Sequence, residues 1–148
     1  MIVRKNQILD ISELSQLTKE FCKDLKIGDL VMLTGELGSG KTTFSRFVIK
    51  NLYSLEKLKQ PTIISSPTYP ILLTYNLKSY EVYHYDLYRI KNIKELEELD
   101  FFANIKNSIT LIEWPELLLE SALIQKYYLV NLDLHSEKKR NINIKYFE

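Results

Sequence analysis

Apolar positions recur along this chain with two different periods, and the switches between them outline its elements. From Asp10 the spacing is helical: Leu14, Leu17, Phe21 and Leu25 share one face of a helix running from Ile11 to about Leu25. Asp10 with Glu13 three residues on forms its N-terminal cap. Asp29 to Thr34 is a short β-branched and apolar run that reads as a buried strand. Helical spacing returns from Thr42 to Lys50, with Phe44, Phe47 and Val48 on one face. Ile2 to Ile8 can make an edge strand. Ile71 to Tyr75 and Glu81 to Tyr85 flank Asn76-Leu77-Lys78-Ser79 as a hairpin. A short charged helix, Ile93 to Leu99, leads to the apolar strand Ile109 to Ile112, and Tyr127 to Leu134 with Asn141 to Phe147 form a second hairpin. Strands interleaved with helices predict an α/β fold of three layers around a mixed, mostly parallel sheet with antiparallel hairpins.

Between the buried strand and the second helix stands Gly35-Glu36-Leu37-Gly38-Ser39-Gly40-Lys41-Thr42, a GxxxxGK[ST] string holding three of the chain's four glycines. Glycines let such a loop curl so that successive backbone N–H groups point inward at a triphosphate. Lys41 can reach the β- and γ-phosphates as a point charge, and the Thr42 hydroxyl can ligate Mg²⁺. The helix that follows, opening with Thr43, turns its N-terminus toward the phosphates. Strand before and helix after is the context this chemistry requires.

Length and composition limit the alternatives. A chain of 148 residues fits one domain, and 45% hydrophobic content argues against disorder. A net charge of +1 gives no support for a general nucleic-acid surface, although a local basic patch remains open at His135 to Arg140. The single cysteine, Cys22, sits among helical residues and reads as a small buried hydrophobe in a reducing compartment. No apolar run approaches membrane-spanning length and no leader pattern opens the chain, so the expected location is cytoplasmic.

A nucleotide hydrolase also needs an acid for the metal, usually at the carboxyl end of a strand beside the loop. Two strands supply one: Ile109 to Ile112 ends in Glu113, followed by Trp114 and Pro115, and Val82 to Tyr85 ends in Asp86. Alone, each acid fits a solvated strand end or a helix cap equally well. Lys57 to Pro70 is irregular, holds three of the four prolines, and contains Ser66-Pro67-Thr68-Tyr69. In that position Thr68 could meet Mg²⁺ or the attacking water, or the string could be no more than a proline turn. His84 lies inside a strand, opposite Tyr83 and Tyr85 by alternation, and reads as structural, with a polar role at the site as the lesser alternative.

The ordered set GELGSGKTTFSR, SPTY, YHYDLYR and IEWPE resembles the TsaE family (also called YjeE), the small bacterial P-loop ATPases of tRNA threonylcarbamoyladenosine synthesis. The resemblance runs from about Asp10 to Arg140. It implies an ATPase that uses ATP and Mg²⁺ and depends on the TsaD and TsaB proteins, which modify adenosine 37 of tRNAs decoding ANN codons; contact with tRNA would be indirect, through that complex. The family's phosphate loop falls on Gly35 to Thr42, its metal threonine on Thr42, its metal-side acids on Asp86 and Glu113, its switch on Ser66 to Thr68, and its tryptophan on Trp114. Asp10 matches a position near the base and Arg140 one near the nucleotide, although a helix cap and a turn cation beside Lys138 and Lys139 explain them equally well.

The chain departs from the family pattern at Phe47 and Asp100, where relatives usually have glycine, at Pro70, and in a longer segment before the switch. Three alternatives to the ATPase reading differ in what they require. A small-molecule kinase should show an arginine-rich lid, which Arg4, Arg46, Arg89 and Arg140 do not suggest. A GTPase should carry an Asn/Thr-Lys-x-Asp string, which is absent from the sequence. A nucleotide-gated, non-catalytic assembly factor would use the same binding residues.

Overall fold

The computed structural model describes residues 3–148, so the Ile2 end of the expected first strand lies outside the described residues. The strands are β1 (Arg4–Leu9), β2 (Leu30–Thr34), β3 (Leu72–Asn76), β4 (Glu81–Asp86), β5 (Ser108–Glu113), β6 (Tyr127–Leu134) and β7 (Arg140–Phe147). The helices are α1 (Ile11–Asp24), α2 (Lys41–Leu55), α3 (Ile93–Glu98), α4 (Phe101–Asn104) and α5 (Glu116–Ser121), with a 3-10 turn over Ile105–Asn107. All seven strands join one sheet in the order β1-β7-β6-β2-β5-β4-β3. The central strands β6, β2, β5 and β4 pair in parallel, and antiparallel partners close both flanks. Only β3 and β7 run against the rest, so the sheet is mixed and mostly parallel.

The sheet's two faces build two cores. Leu14, Leu17 and Phe21 of α1 and Phe44, Val48 and Ile49 of α2 pack on the inward residues of β2, β5, β6 and β7. Leu96, Phe101 and Leu118 of α3, α4 and α5 cover Met32, Tyr85 and Ile112 on the other side. Phe21 joins the first layer to the sheet, its ring 5.9 Å from Phe44 and 5.1 Å edge-on to Tyr128. Burying each such ring stabilises the fold by roughly 1.5–3 kcal/mol.

Local chemistry sets the boundaries. The Asp10 side chain accepts from the Glu13 N–H at 2.8 Å, and Glu13 Oε1 accepts from the Asp10 N–H at 3.2 Å, a reciprocal cap that fixes the start of α1. α2 continues past the expected Lys50 to Leu55 because no Gly or Pro interrupts it. β3 begins one residue late, at Leu72, because Ile71 has φ 69°. α4 and α5 are corrections to the sequence reading, which left both segments unassigned. Asp100 sits at φ 55°, a left-handed turn between α3 and α4 that an Asp tolerates better than most residues.

Gly35 ends β2 at φ 144°, where a Cβ would lie 2.3 Å from the Leu132 carbonyl oxygen of β6 and 2.5 Å from Ser39 Oγ. The loop after β2 is therefore pressed against its neighbouring strand with no room for a side chain. Gly35→Ala should destabilise the fold by about 3 kcal/mol and lower the thermal midpoint by roughly 6–12 °C. Differential scanning calorimetry of the purified variant checks this. Cys22 is 2% exposed, and burial pushes its thiol up to about 12. At pH 8 a thiol-specific disulfide reagent should label the native chain at least about a hundredfold more slowly than the unfolded chain, read by absorbance with and without denaturant.

Candidate functional site

Three parallel strands, β2, β4 and β5, end at the same edge of the sheet. In register, Asp86 lies beside Glu113 and Leu33 beside Glu113, so both acids meet the loop that leaves β2. A cleft of about 250 Å³ opens there, lined by Leu37, Gly38, Gly40 to Thr43, Thr68, Asp86, Glu113, Trp114 and Arg140. The structure thus brings most of the sequence-derived site residues together. Gly35, Glu36 and Ser39 form the back of the loop, with Ser39 1% exposed. Asp10 lies in an adjoining cleft of about 430 Å³ with Ile11, Ser12, Glu137 and Lys138, and the two clefts share Gly40, Thr43 and Arg140. That second cleft is the more apolar one, suited to a base or sugar, whereas the first presents charge.

The loop is built to receive an anion. Gly38 and Gly40 adopt φ 79° and 108°, which turns the chain so that α2 begins under the cleft. No side-chain hydrogen bond caps α2 among the described residues, leaving its first-turn amides and its dipole for a ligand. Lys41 is 5% exposed, and its ammonium donates to the carbonyls of Gly35 at 2.6 Å and Glu36 at 3.0 Å. It also lies 4.0 Å from the centroid of the Trp114 ring. Burial pushes Lys41 below its ordinary value, against the opposing pull of the Glu113, Glu116 and Asp86 carboxylates.

Trp114 is held on the loop side of β5 by an unusual backbone. Its φ of 57° is left-handed, a conformation costing a bulky residue about 1–3 kcal/mol. A tilted ring contact with Tyr88, centroids 5.0 Å apart, and the Lys41 contact stabilise it there.

The two acids have distinct partners. Glu113 Oε1 accepts from the Thr42 hydroxyl at 2.7 Å. Asp86 Oδ2 accepts from the Thr68 hydroxyl at 3.0 Å, and its Oδ1 accepts from the Tyr88 N–H at 2.9 Å. Thr68 also meets Ser66 Oγ at 2.8 Å, and Arg89 donates to the Thr68 carbonyl at 2.8 Å and to that of Tyr69. The Ser-Pro-Thr segment is thereby tied to the second acid.

His84, read as structural with a polar role at the site as the lesser alternative, is buried in the sheet and touches one of the two acids. Its imidazole is 0% exposed and its Nε2 lies 2.6 Å from Glu113 Oε2. The sequence signal was its place two residues before Asp86, which puts both on one face of β4. Arg140 donates to the carbonyls of its own turn, Ser136 and Lys139 at 3.1 Å each, and to those of Ser39 at 3.0 Å and Gly38 at 3.3 Å, tying the turn to the loop. Asp10 keeps its cap while lining the second cleft.

The donor set suits Mg²⁺ held jointly with a nucleotide. Thr42 donates its hydroxyl proton to Glu113 and keeps lone pairs for a cation, and every nearby donor is a hard oxygen. Among the described residues no cluster of three or more His, Cys, Asp and Glu side chains forms a ready-made metal cage. Such a cation would take most of its ligands from phosphate and water, as Mg²⁺ commonly does.

Comparison with known proteins agrees with this architecture. The family model described as "Threonylcarbamoyl adenosine biosynthesis protein TsaE" matches residues 8–142. A Rickettsia felis protein named tRNA threonylcarbamoyladenosine biosynthesis protein TsaE is 38% identical over 147 residues, covering 97% of this chain and 78% of that one. The Haemophilus influenzae protein of the same name is 36% identical over 118 residues, covering 78% of this chain and 68% of its own length. The crystal structure of Bacillus subtilis YdiB superposes with a TM-score of 0.68 at 23% identity, covering all of this chain and 89% of that one, so the two share the fold. With its loop, paired acids and Ser-Pro-Thr segment assembled at one sheet edge, and with relatives matching over most of its length, the chain belongs to the TsaE family.

Proposed function

We propose that this chain is a MgATP-hydrolysing accessory protein in the threonylcarbamoyl modification of adenosine 37 of tRNAs reading ANN codons, working on a TsaD/TsaB complex in the cytoplasm and meeting tRNA only through it. The tRNA role rests on the names its relatives carry. The hydrolase role rests on one contact above all: the Thr42 hydroxyl held by Glu113 at 2.7 Å, at the N-terminus of α2.

In this reading ATP spans the two joined clefts, its phosphates against Gly38 to Thr43 and its nucleoside toward Asp10 and Arg140. Mg²⁺ held on the Thr42 and Glu113 side would supply charge neutralisation of the phosphates. Lys41 leaves the Gly35 and Glu36 carbonyls for the phosphates, and the loop amides stabilise charge developing there. Thr42 and Glu113 hold the metal side, directly or through water, and Asp86 either supports that side or orients the attacking water. Thr68, already hydrogen-bonded to Asp86, stands where it can meet the same water. Water adds in line to the γ-phosphorus as its bond to the bridging oxygen breaks, giving ADP and inorganic phosphate.

The arginines favour dependence on a partner. Arg4 pairs with Glu20, Arg46 donates to the Ile64 carbonyl, Arg89 grips the switch, and Arg140 braces the loop. Each of the four is engaged by the chain's own groups, so an arginine finger would have to come from a partner and hydrolysis by the chain alone should be slow. The same observation favours the second reading, a nucleotide-gated assembly factor in which hydrolysis is incidental.

ATP turnover measured with and without TsaD, TsaB and tRNA separates the two. Turnover should rise on adding the partners and fall about a hundredfold or more in Lys41→Ala and Glu113→Ala. ATP binding without turnover in any mixture, with Glu113→Ala still supporting tRNA modification, would replace the hydrolase reading with the assembly factor.

A further inference from the structure

The least explained polar group in the molecule is the imidazole of His84. It belongs to β4, where Tyr83 and Tyr85 pack in the core beneath α3 to α5 while Val82 joins the core beneath α1 and α2. Alternation therefore puts His84 and Asp86 on the α2 side. On the neighbouring strand Leu111 joins the same α1/α2 core, so Glu113 also faces α2. His84 is in register with Leu111 and Asp86 with Glu113, which makes His84 and Glu113 diagonal neighbours on one face. Their side chains meet at 2.6 Å in a place from which water is excluded, with 0% and 4% of their surfaces exposed.

The direction of that hydrogen bond follows from what surrounds it. His84 Nδ1 is buried with no partner among the described residues, whereas Nε2 faces a carboxylate oxygen. A proton on Nδ1 would leave a buried N–H unsatisfied and set the bare Nε2 lone pair against Oε2. A proton on Nε2 gives a charge-assisted hydrogen bond and leaves only a lone pair unused. Glu113 then has both oxygens fixed: Oε2 by the His84 Nε2–H and Oε1 by the Thr42 hydroxyl.

We propose that His84 is the positioning residue of Glu113, its Nε2–H pinning Oε2 so that Oε1 and the Thr42 hydroxyl are aimed together at the metal side of the bound nucleotide. This deepens the nucleotide-hydrolase reading and rests on it. A glutamate has three side-chain torsions, and α2 constrains only the oxygen that touches Thr42. With Oε2 anchored from within the sheet, the carboxylate stays in one orientation when the ligand arrives and the Thr42 hydroxyl turns a lone pair to the cation. Partners of this kind, which orient a group serving a metal without touching the metal, commonly change affinity ten- to a hundredfold.

The test uses the full chain with His84→Gln, His84→Leu and His84→Asn. A glutamine amide nitrogen lies the same number of bonds from Cα as His Nε2 and can donate, an asparagine nitrogen falls one bond short, and leucine cannot donate. Mn²⁺ binding to the ATP-loaded protein is read by electron paramagnetic resonance. ATP binding without metal is followed by fluorescence of Trp114, the only tryptophan. The imidazole tautomer of the wild type is read by long-range ¹H–¹⁵N correlation, with only His135 as a second histidine signal.

The expected result is an Nε2–H tautomer, about tenfold weaker Mn²⁺ binding in His84→Leu and His84→Asn, recovery to within about threefold in His84→Gln, and metal-free ATP binding changed less than about twofold throughout. An Nδ1–H tautomer overturns the proposal even if no variant folds. Wild-type Mn²⁺ affinity in His84→Leu overturns the positioning role alone and leaves the hydrolase reading intact. Equal loss of metal-free and metal-dependent binding in all three variants assigns His84 to the core and overturns it too. A wild type that binds no Mn²⁺ in the presence of ATP overturns the hydrolase reading and this one with it.

Discussion

Parallel pairing of β2, β5 and β4 is the constraint on which the site depends. Strands that run the same way end at the same edge, so the loop leaving β2 and the acids ending β4 and β5 are delivered to one place by backbone hydrogen bonds alone. The side-chain period of a strand is two residues, and a one-residue slip of β4 against β5 would move His84 and Asp86 to the opposite face, beneath α3 to α5. The register is guarded by burial on both faces: Val82 is in one core, Tyr85 in the other, and both are 0% exposed. The same packing that stabilises the sheet thus sets the distance between Glu113 and Thr42.

Charge at that edge is arranged so that each group has a partner before any ligand arrives. Lys41 is buried next to Glu113 and Asp86, yet its hydrogen bonds go to the Gly35 and Glu36 carbonyls. The carboxylates are met instead by hydroxyls, an imidazole and a backbone amide. A net intramolecular hydrogen bond to a charged group is worth about 1.5–3 kcal/mol. Such bonds fix geometry while remaining exchangeable. Before Lys41 could turn to any anion in the cleft, it would have to leave two carbonyls and the face of Trp114.

What was legible in the sequence follows from how local each signal is. The Asp10 and Glu13 cap, the α2 face and the β6 hairpin strand were readable because each is decided within a few residues. The glycine-rich loop after β2 and the acids ending β4 and β5 could be placed because each lies at the end of a short apolar run. α4 was not, since a four-residue helix carries no period and begins at the left-handed Asp100. α5 is six residues long, opens at Pro115 and ends at Ala122 with φ 56°, so the usual Gly or Asn stop signal is missing. His84 shows a different limit. Alternation correctly sets it opposite Tyr83 and Tyr85, but a strand's own pattern names a face and never the residue waiting on it. Arg140 was ambiguous for the same reason: its local turn carbonyls, Ser136 and Lys139, are joined by Ser39 and Gly38 about a hundred residues away in sequence.

The Ser66 to Tyr69 segment is held by a different balance from that of the rest of the site. Pro67 is buried, and the Pro67 carbonyl accepts from the Ile71 N–H at 2.7 Å, so the base of the turn is anchored. Thr68 is exposed and Tyr69 is 87% exposed, so their placement depends on hydrogen bonds rather than on apolar burial. Those bonds run to Asp86 and Arg89, which lie three residues apart at the end of β4. A ligand that drew the Thr68 hydroxyl away from Asp86 would free one carboxylate oxygen and leave the Arg89 contacts in place. Arg89 restrains the backbone while the hydroxyl can change partner, so the segment can answer to the occupant of the cleft without unfolding. Apolar packing would have made that exchange more costly than the loss of a single part-buried hydrogen bond.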